Sequence, residues 1–236
     1  MTHDRIDFIS SYCDRWCERC AYTTRCSAFL AEAAIAMCGD AQEGLELALG
    51  TPYPVGRDQT SLAVPEWVAD LDNTELTPDE HAEFDRQETE RDTRIADSSI
   101  MKVARTYAFL SHRWLTVRHE QVVEGPDAVL KEALQIALHD ALLINAKLHR
   151  ALTGRDRRDD EDEDDHPVQN DWNGSAKVAL ISLERSEAAW RTIAATTTED
   201  TPATFADQLR DLRRDVEDAF PQARSFVRPG FDESGR

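Results

Sequence analysis

The 236-residue chain has no uninterrupted apolar run near the roughly 18 residues that a membrane helix requires, so no membrane span is expected. A basic leader followed by an apolar stretch is missing from residues 1–11, and a cytoplasmic location is the expectation. Lysine is scarce: Lys102, Lys131, Lys147 and Lys177 leave 23 of the 27 basic residues as arginine. Positive charge is in short supply altogether, with 46 acidic side chains and a net charge of −19. That balance repels phosphate backbones and anionic lipid heads, so neither a nucleic-acid nor a membrane partner is expected. No stretch shows strand alternation bounded by turn signals, which removes sheet architectures. Phosphate-cradling glycine loops, nucleotide fingerprints and Ser–His–Asp groupings are also missing, and no catalytic residue is assigned.

What remains is helical periodicity. Thr77-Pro78-Asp79-Glu80 joins a capping threonine, proline at the first helical position and glutamate three residues after the cap, a strong helix start. Beyond Arg94 the apolar residues Ala96, Ile100, Val103, Tyr107, Leu110, Trp114 and Val117 recur on one face. Gly125-Pro126-Asp127 breaks this pattern. A second helix then carries Leu130, Leu134, Ala137, Leu138, Ala141, Ile144, Leu148 and Leu152 in one stripe. A third presents Trp172, Ala176, Ala179, Leu183, Ser186, Trp190 and Ile193, and a fourth, opened by Thr201-Pro202, carries Phe205, Leu209, Leu212, Val216 and Phe220.

Four one-sided helices have an economical solution in burying their stripes together. The expected fold is all-α: an antiparallel four-helix bundle with a small N-terminal Cys-rich helical module. The module takes residues 1–50 and an irregular connection 51–77, where Trp67, Val68 and Leu71 pin the chain to a larger surface. The bundle takes 78–227, interrupted by an acidic disordered loop at 155–170 whose seven consecutive acids, Asp159 to Asp165, repel one another. Residues 228–236 are expected to fray.

The module carries the chemistry. All five cysteines lie in it, and Cys13, Cys17, Cys20 and Cys26 stand within a single short stretch. In a reducing compartment such crowding points to metal ligation before disulfides. A continuous α-helix would separate Cys13 from Cys20 by about 10 Å along its axis, whereas thiolates on one zinc lie about 4 Å apart. Either the backbone bends, which suits zinc, or the centre is larger, as in an iron–sulfur cubane. The absence of two separated Cys-x-x-Cys knuckles places a [4Fe-4S] cluster slightly ahead of Zn. Arg15, Arg19 and Arg25 are the expected counter-charges to the thiolates. Cys38 lies about 18 Å beyond Cys26 if a helix intervenes, and is not expected to be a ligand.

The first three cysteines have Cys-x3-Cys-x2-Cys spacing, which resembles the cluster loop of radical S-adenosylmethionine enzymes. The resemblance spans eight residues and implies an α/β barrel with a Gly-Gly-Glu-like motif, neither of which this sequence offers. Cys26 would also fill the iron position that those enzymes leave open.

Elsewhere the signals are structural. The only Glu-x-x-His pair, Glu163 with His166, falls in the acidic loop, so no di-iron centre is expected in the bundle. His112 and His119 read as solvated, His139 as a packing residue partly covered by the N-terminal module, and Asn145 and Arg118 as polar groups in apolar stripes that need partners. The expected function is a metal-binding protein with a binding or regulatory role. Two alternatives stand beside it: a redox enzyme using the Cys-ligated cluster, and a helical interaction module whose acidic run tethers a basic protein partner. The sequence sets no oligomeric state.

Overall fold

The computed structural model describes residues 4–49, 77–118, 127–158 and 166–232. The connection with Trp67, Val68 and Leu71, the acids Asp159 to Asp165, and His119 lie outside them. Every regular element among the described residues is helical: α1 (Ser27–Cys38), α2 (Ala41–Leu49), α3 (Pro78–Asp97), α4 (Ser99–Thr116), α5 (Ala128–Arg158), α6 (Asp171–Thr196) and α7 (Thr201–Ala219), with short 3-10 turns. Among the described residues no helix is long and apolar enough to cross a membrane. The chain divides into two compact units, one of Met1–Ser10 and Cys17–Glu90, the other of Ser11–Trp16 and Arg91–Arg236.

In the first unit, α1 and α2 pack together. Gly39, left-handed at φ 72°, ends α1 as its position after Cys38 suggests. A Cβ on Gly44 would fall 2.4 Å from the Ile35 backbone, so glycine alone permits this approach of α2 to α1. Among the described residues up to Ala48, the buried apolar side chains are Ile9 and Ala34, while Phe8, Met37 and Leu47 are exposed.

The second unit holds the core. Helix α4 packs on α5 and α7, and α6 on α5 and α7. The stripes expected on α6 and α7 are buried residue for residue. In place of one long helix from Pro78, the chain breaks at Ser98, whose side chain accepts a hydrogen bond from Met101 N and caps α4. Ala104, Tyr107, Ala108, Ser111 and Leu115 are buried, whereas Val103, Leu110 and Val117 from the expected stripe are exposed.

Tyr107 anchors the buried polar centre. Its hydroxyl shares a 2.9 Å hydrogen bond with Ser186 Oγ and accepts one of 2.8 Å from Trp190 Nε1. Burial pushes the phenol up to about 12, so it remains a neutral donor. Arg118, expected to need a partner, ion-pairs with Glu199 and lies over the Trp114 ring. Helix α5 runs on through Gly154 to Arg158, residues expected in the loop, with Asp156 held by Arg91 and Arg94. Within the tail expected to fray, the described residues Arg228 to Asp232 are held by ion pairs of Lys177 and Arg228 with Asp232.

Candidate functional site: the cysteine stretch

The cysteine stretch is not a continuous helix. Cys17–Arg19 and Thr23–Arg25 are single 3-10 turns, with Cys20 N bonded to Cys17 O at 3.2 Å and Cys26 N to Thr23 O at 3.4 Å. The helical separation that counted against zinc therefore does not apply here. Cys26 is the extended residue at the N-cap of α1, where unpaired backbone donors favour negative charge. Cys38 ends the same helix twelve residues later. All five thiols are half-buried and none is in a disulfide.

Two sulfurs accept backbone N–H groups from two residues downstream: Arg15 N to Cys13 Sγ and Tyr22 N to Cys20 Sγ, each at 3.4 Å. Such donors stabilise negative charge on sulfur. Arg15 is left-handed at φ 59°, a conformation that costs a non-glycine residue about 1 kcal/mol or more. It persists because the residues on either side are fixed.

That fixing is done by the second unit, to which Cys13 belongs. Lys147 Nζ donates to Ser11 O at 3.0 Å, and Tyr12 Oη donates to Asp171 Oδ1 at 3.2 Å, with Asp171 also gripped by Arg150. Asp14 Oδ2 accepts from Arg185 at 2.6 Å, and Asp14 O lies 2.9 Å from His139 Nε2. Trp16 stacks on His139 at 4.3 Å and 15°. His139 is thus the covered packing residue that the sequence suggested, and the N-terminal segment is what covers it.

Arg185 is the pivot. Two of its nitrogens hold the Asp140 carboxylate, at 3.0 and 2.5 Å, while the third takes Asp14. Burial works against its charge, yet the two carboxylates keep the guanidinium firmly protonated. Burial pushes the Asp140 carboxyl above its ordinary value despite that grip, for its side chain is 0% exposed. Burial opposes the Asp14 charge too, but Arg185 and the Trp16 N–H hold that carboxyl below its ordinary value.

Arg25 is committed to Asp4 at 2.9 Å. Lys147, buried in the stripe of α5, lies close enough to Cys13 for a thiolate to favour its ammonium form, against the burial that lowers its pKa. Sequence reasoning passed over Lys147, Asp140 and Arg185, which no local pattern singles out.

Gly174 seats the segment. A Cβ there would meet the Tyr12 ring at 2.4 Å and the Phe226 ring at 2.7 Å. Gly174→Ala is expected to push Tyr12 off α6 and lower stability by about 1–3 kcal/mol, checked by denaturant unfolding. An unchanged midpoint would show that Tyr12 is not seated there.

Among the described residues, no group of three or more His, Cys, Asp or Glu side chains is gathered as a ready-made metal site. Comparison with protein-family models, curated proteins and solved structures finds no match.

Proposed function

We propose that Cys13, Cys17, Cys20 and Cys26 together bind one metal centre, and that the protein is a metal-binding helical protein with a binding or regulatory role in a reducing, cytoplasmic setting. The observation that carries this reading is the four-thiol stretch with N–H donors on the sulfurs of Cys13 and Cys20. Among the described residues up to Ala48, the buried apolar side chains are Ile9 and Ala34, and in small modules bound metal is a further source of folding energy. A [4Fe-4S] cluster comes first because the cysteines do not form two separated knuckles; Zn is the second reading, favoured by the broken backbone between Cys13 and Cys20. The mutual packing of α4, α5, α6 and α7 supports reading them as an antiparallel four-helix bundle that presents Cys13.

Anaerobic purification from iron- and zinc-replete medium tests the centre. A cluster gives brown protein with about four irons per chain, and zinc gives colourless protein with about one metal ion per chain. Metal-free protein by elemental analysis would sink the reading.

A further inference from the structure

Helix α4 is a local reversal of the chain's charge. Ser99–Thr116 contains Lys102, Arg105 and Arg113 and no acidic residue, in a protein with a net charge of −19. Lys102 is paired with Asp97, but among the described residues neither Arg105 nor Arg113 meets a carboxylate. Between them stands Phe109, 67% exposed, and across the α4–α5 groove stands Leu142, 59% exposed. Arg105, Phe109, His112, Arg113, Leu142 and Asn145 line a groove of about 410 Å³ whose wall, among the described residues, holds no acidic side chain. Asn145 Oδ1 is buried there without a hydrogen-bond partner. An occupant that satisfies this groove brings an apolar anchor flanked by negative charge.

The first thirteen residues of α3 have that character. Pro78–Glu90 carries six carboxylates against one arginine, is exposed along nearly its whole length, and displays Phe84 at 56% exposure. Glu80, Phe84 and Glu88 repeat every four residues along one face of α3, and Arg105, Phe109 and Arg113 do the same on α4. Each triplet spans about 12 Å. An anion–aromatic–anion row therefore matches a cation–aromatic–cation row in both spacing and sign. Glu80 spends one oxygen on the Thr77 cap, which also fixes where the row begins.

We propose that the α4–α5 groove docks the N-terminal half of α3 from a second copy of the chain. The exchange is reciprocal, so that a two-fold dimer contains the contact twice. The dimer weakens at high salt, because the charged pairs at its edge are exposed.

Sedimentation velocity over a concentration series tests it, using the full chain. The wild type is expected to shift from monomer to dimer with concentration. Phe84→Asp on one face, and Arg105→Glu with Arg113→Glu on the other, should each weaken association by about tenfold or more. These side chains are exposed, so circular dichroism and thermal midpoint should hold. Mixing the two variants should recover part of the association, since each supplies the surface the other lacks. A chain that stays monomeric at every concentration, a dimer indifferent to both variants, or a mixture with no recovery would each overturn the proposal.

Discussion

Single replacement of Cys13, Cys17, Cys20 or Cys26 by alanine is expected to strip most of the bound metal and to unfold the first unit, while Cys38→Ala does neither. The magnitude follows from where the unit's stability resides. Binding free energies of structural zinc in small sites are about 10 kcal/mol or more, and this is folding free energy. A whole domain is stable by only about 5–15 kcal/mol. Losing one of four ligands therefore removes a large share of what holds the segment around the cysteines, where the buried apolar side chains among the described residues up to Ala48 are Ile9 and Ala34. Cys38 is separated from Cys26 by the whole of α1, so its thiol cannot reach the same ion. Elemental analysis and proteolysis of the N-terminal region read out both effects. Full metal content in all four variants, or its loss in Cys38→Ala, would show that the ligand set is different.

The fold was legible where one face alone was apolar. The stripe of α7 could be read because Phe205 to Phe220 recur at helical spacing with mostly polar residues between them, while on α6 the expected stripe is buried together with Val178, Leu180 and Ala189 outside it. On α4 the same rule misplaced the face, since Val103, Phe109, Leu110 and Val117 are apolar residues left outside the core. Periodicity reports that an apolar face exists, but with apolar residues on two adjoining faces of α4 it does not say which of them is buried. The candidate site was legible only in its thiols. The seating of Tyr12 on Gly174 joins residues 162 positions apart in sequence, and no local pattern encodes that contact. The Asp140–Arg185 pair was hidden for a different reason. Asp140, one of three acids on α5, and Arg185, one of two arginines on α6, each read as ordinary surface charges until the two helices are packed together.

That pair carries the second large effect. Arg185→Met should cost about 3 kcal/mol, the lower end of the range for breaking a buried ion pair, because one end of this pair is partly exposed. The loss comes from Asp140, left wholly buried with no guanidinium to hold its charge, and from Asp14, which frees the Cys13 segment. The pH dependence separates these contributions. In the variant, burial acts on Asp140 without the guanidinium to oppose it, so its native carboxyl titrates further above the unfolded value of about 3.9. A carboxyl raised on folding contributes stability below its unfolded pKa and loses it as pH rises through its folded pKa. Asp14 runs the other way in the wild type: its lowered carboxyl contributes stability above about pH 4 and loses it in acid. The deficit of Arg185→Met should therefore be small near pH 4 and grow toward neutrality. Adding Asp140→Ala should recover much of the loss at neutral pH, because the stranded charge is gone. Urea unfolding at about pH 5 and about pH 7.5 makes the comparison. An equal deficit at both values, with no recovery in the double variant, would mean that Arg185 acts through packing on Trp16 rather than through the buried carboxylate.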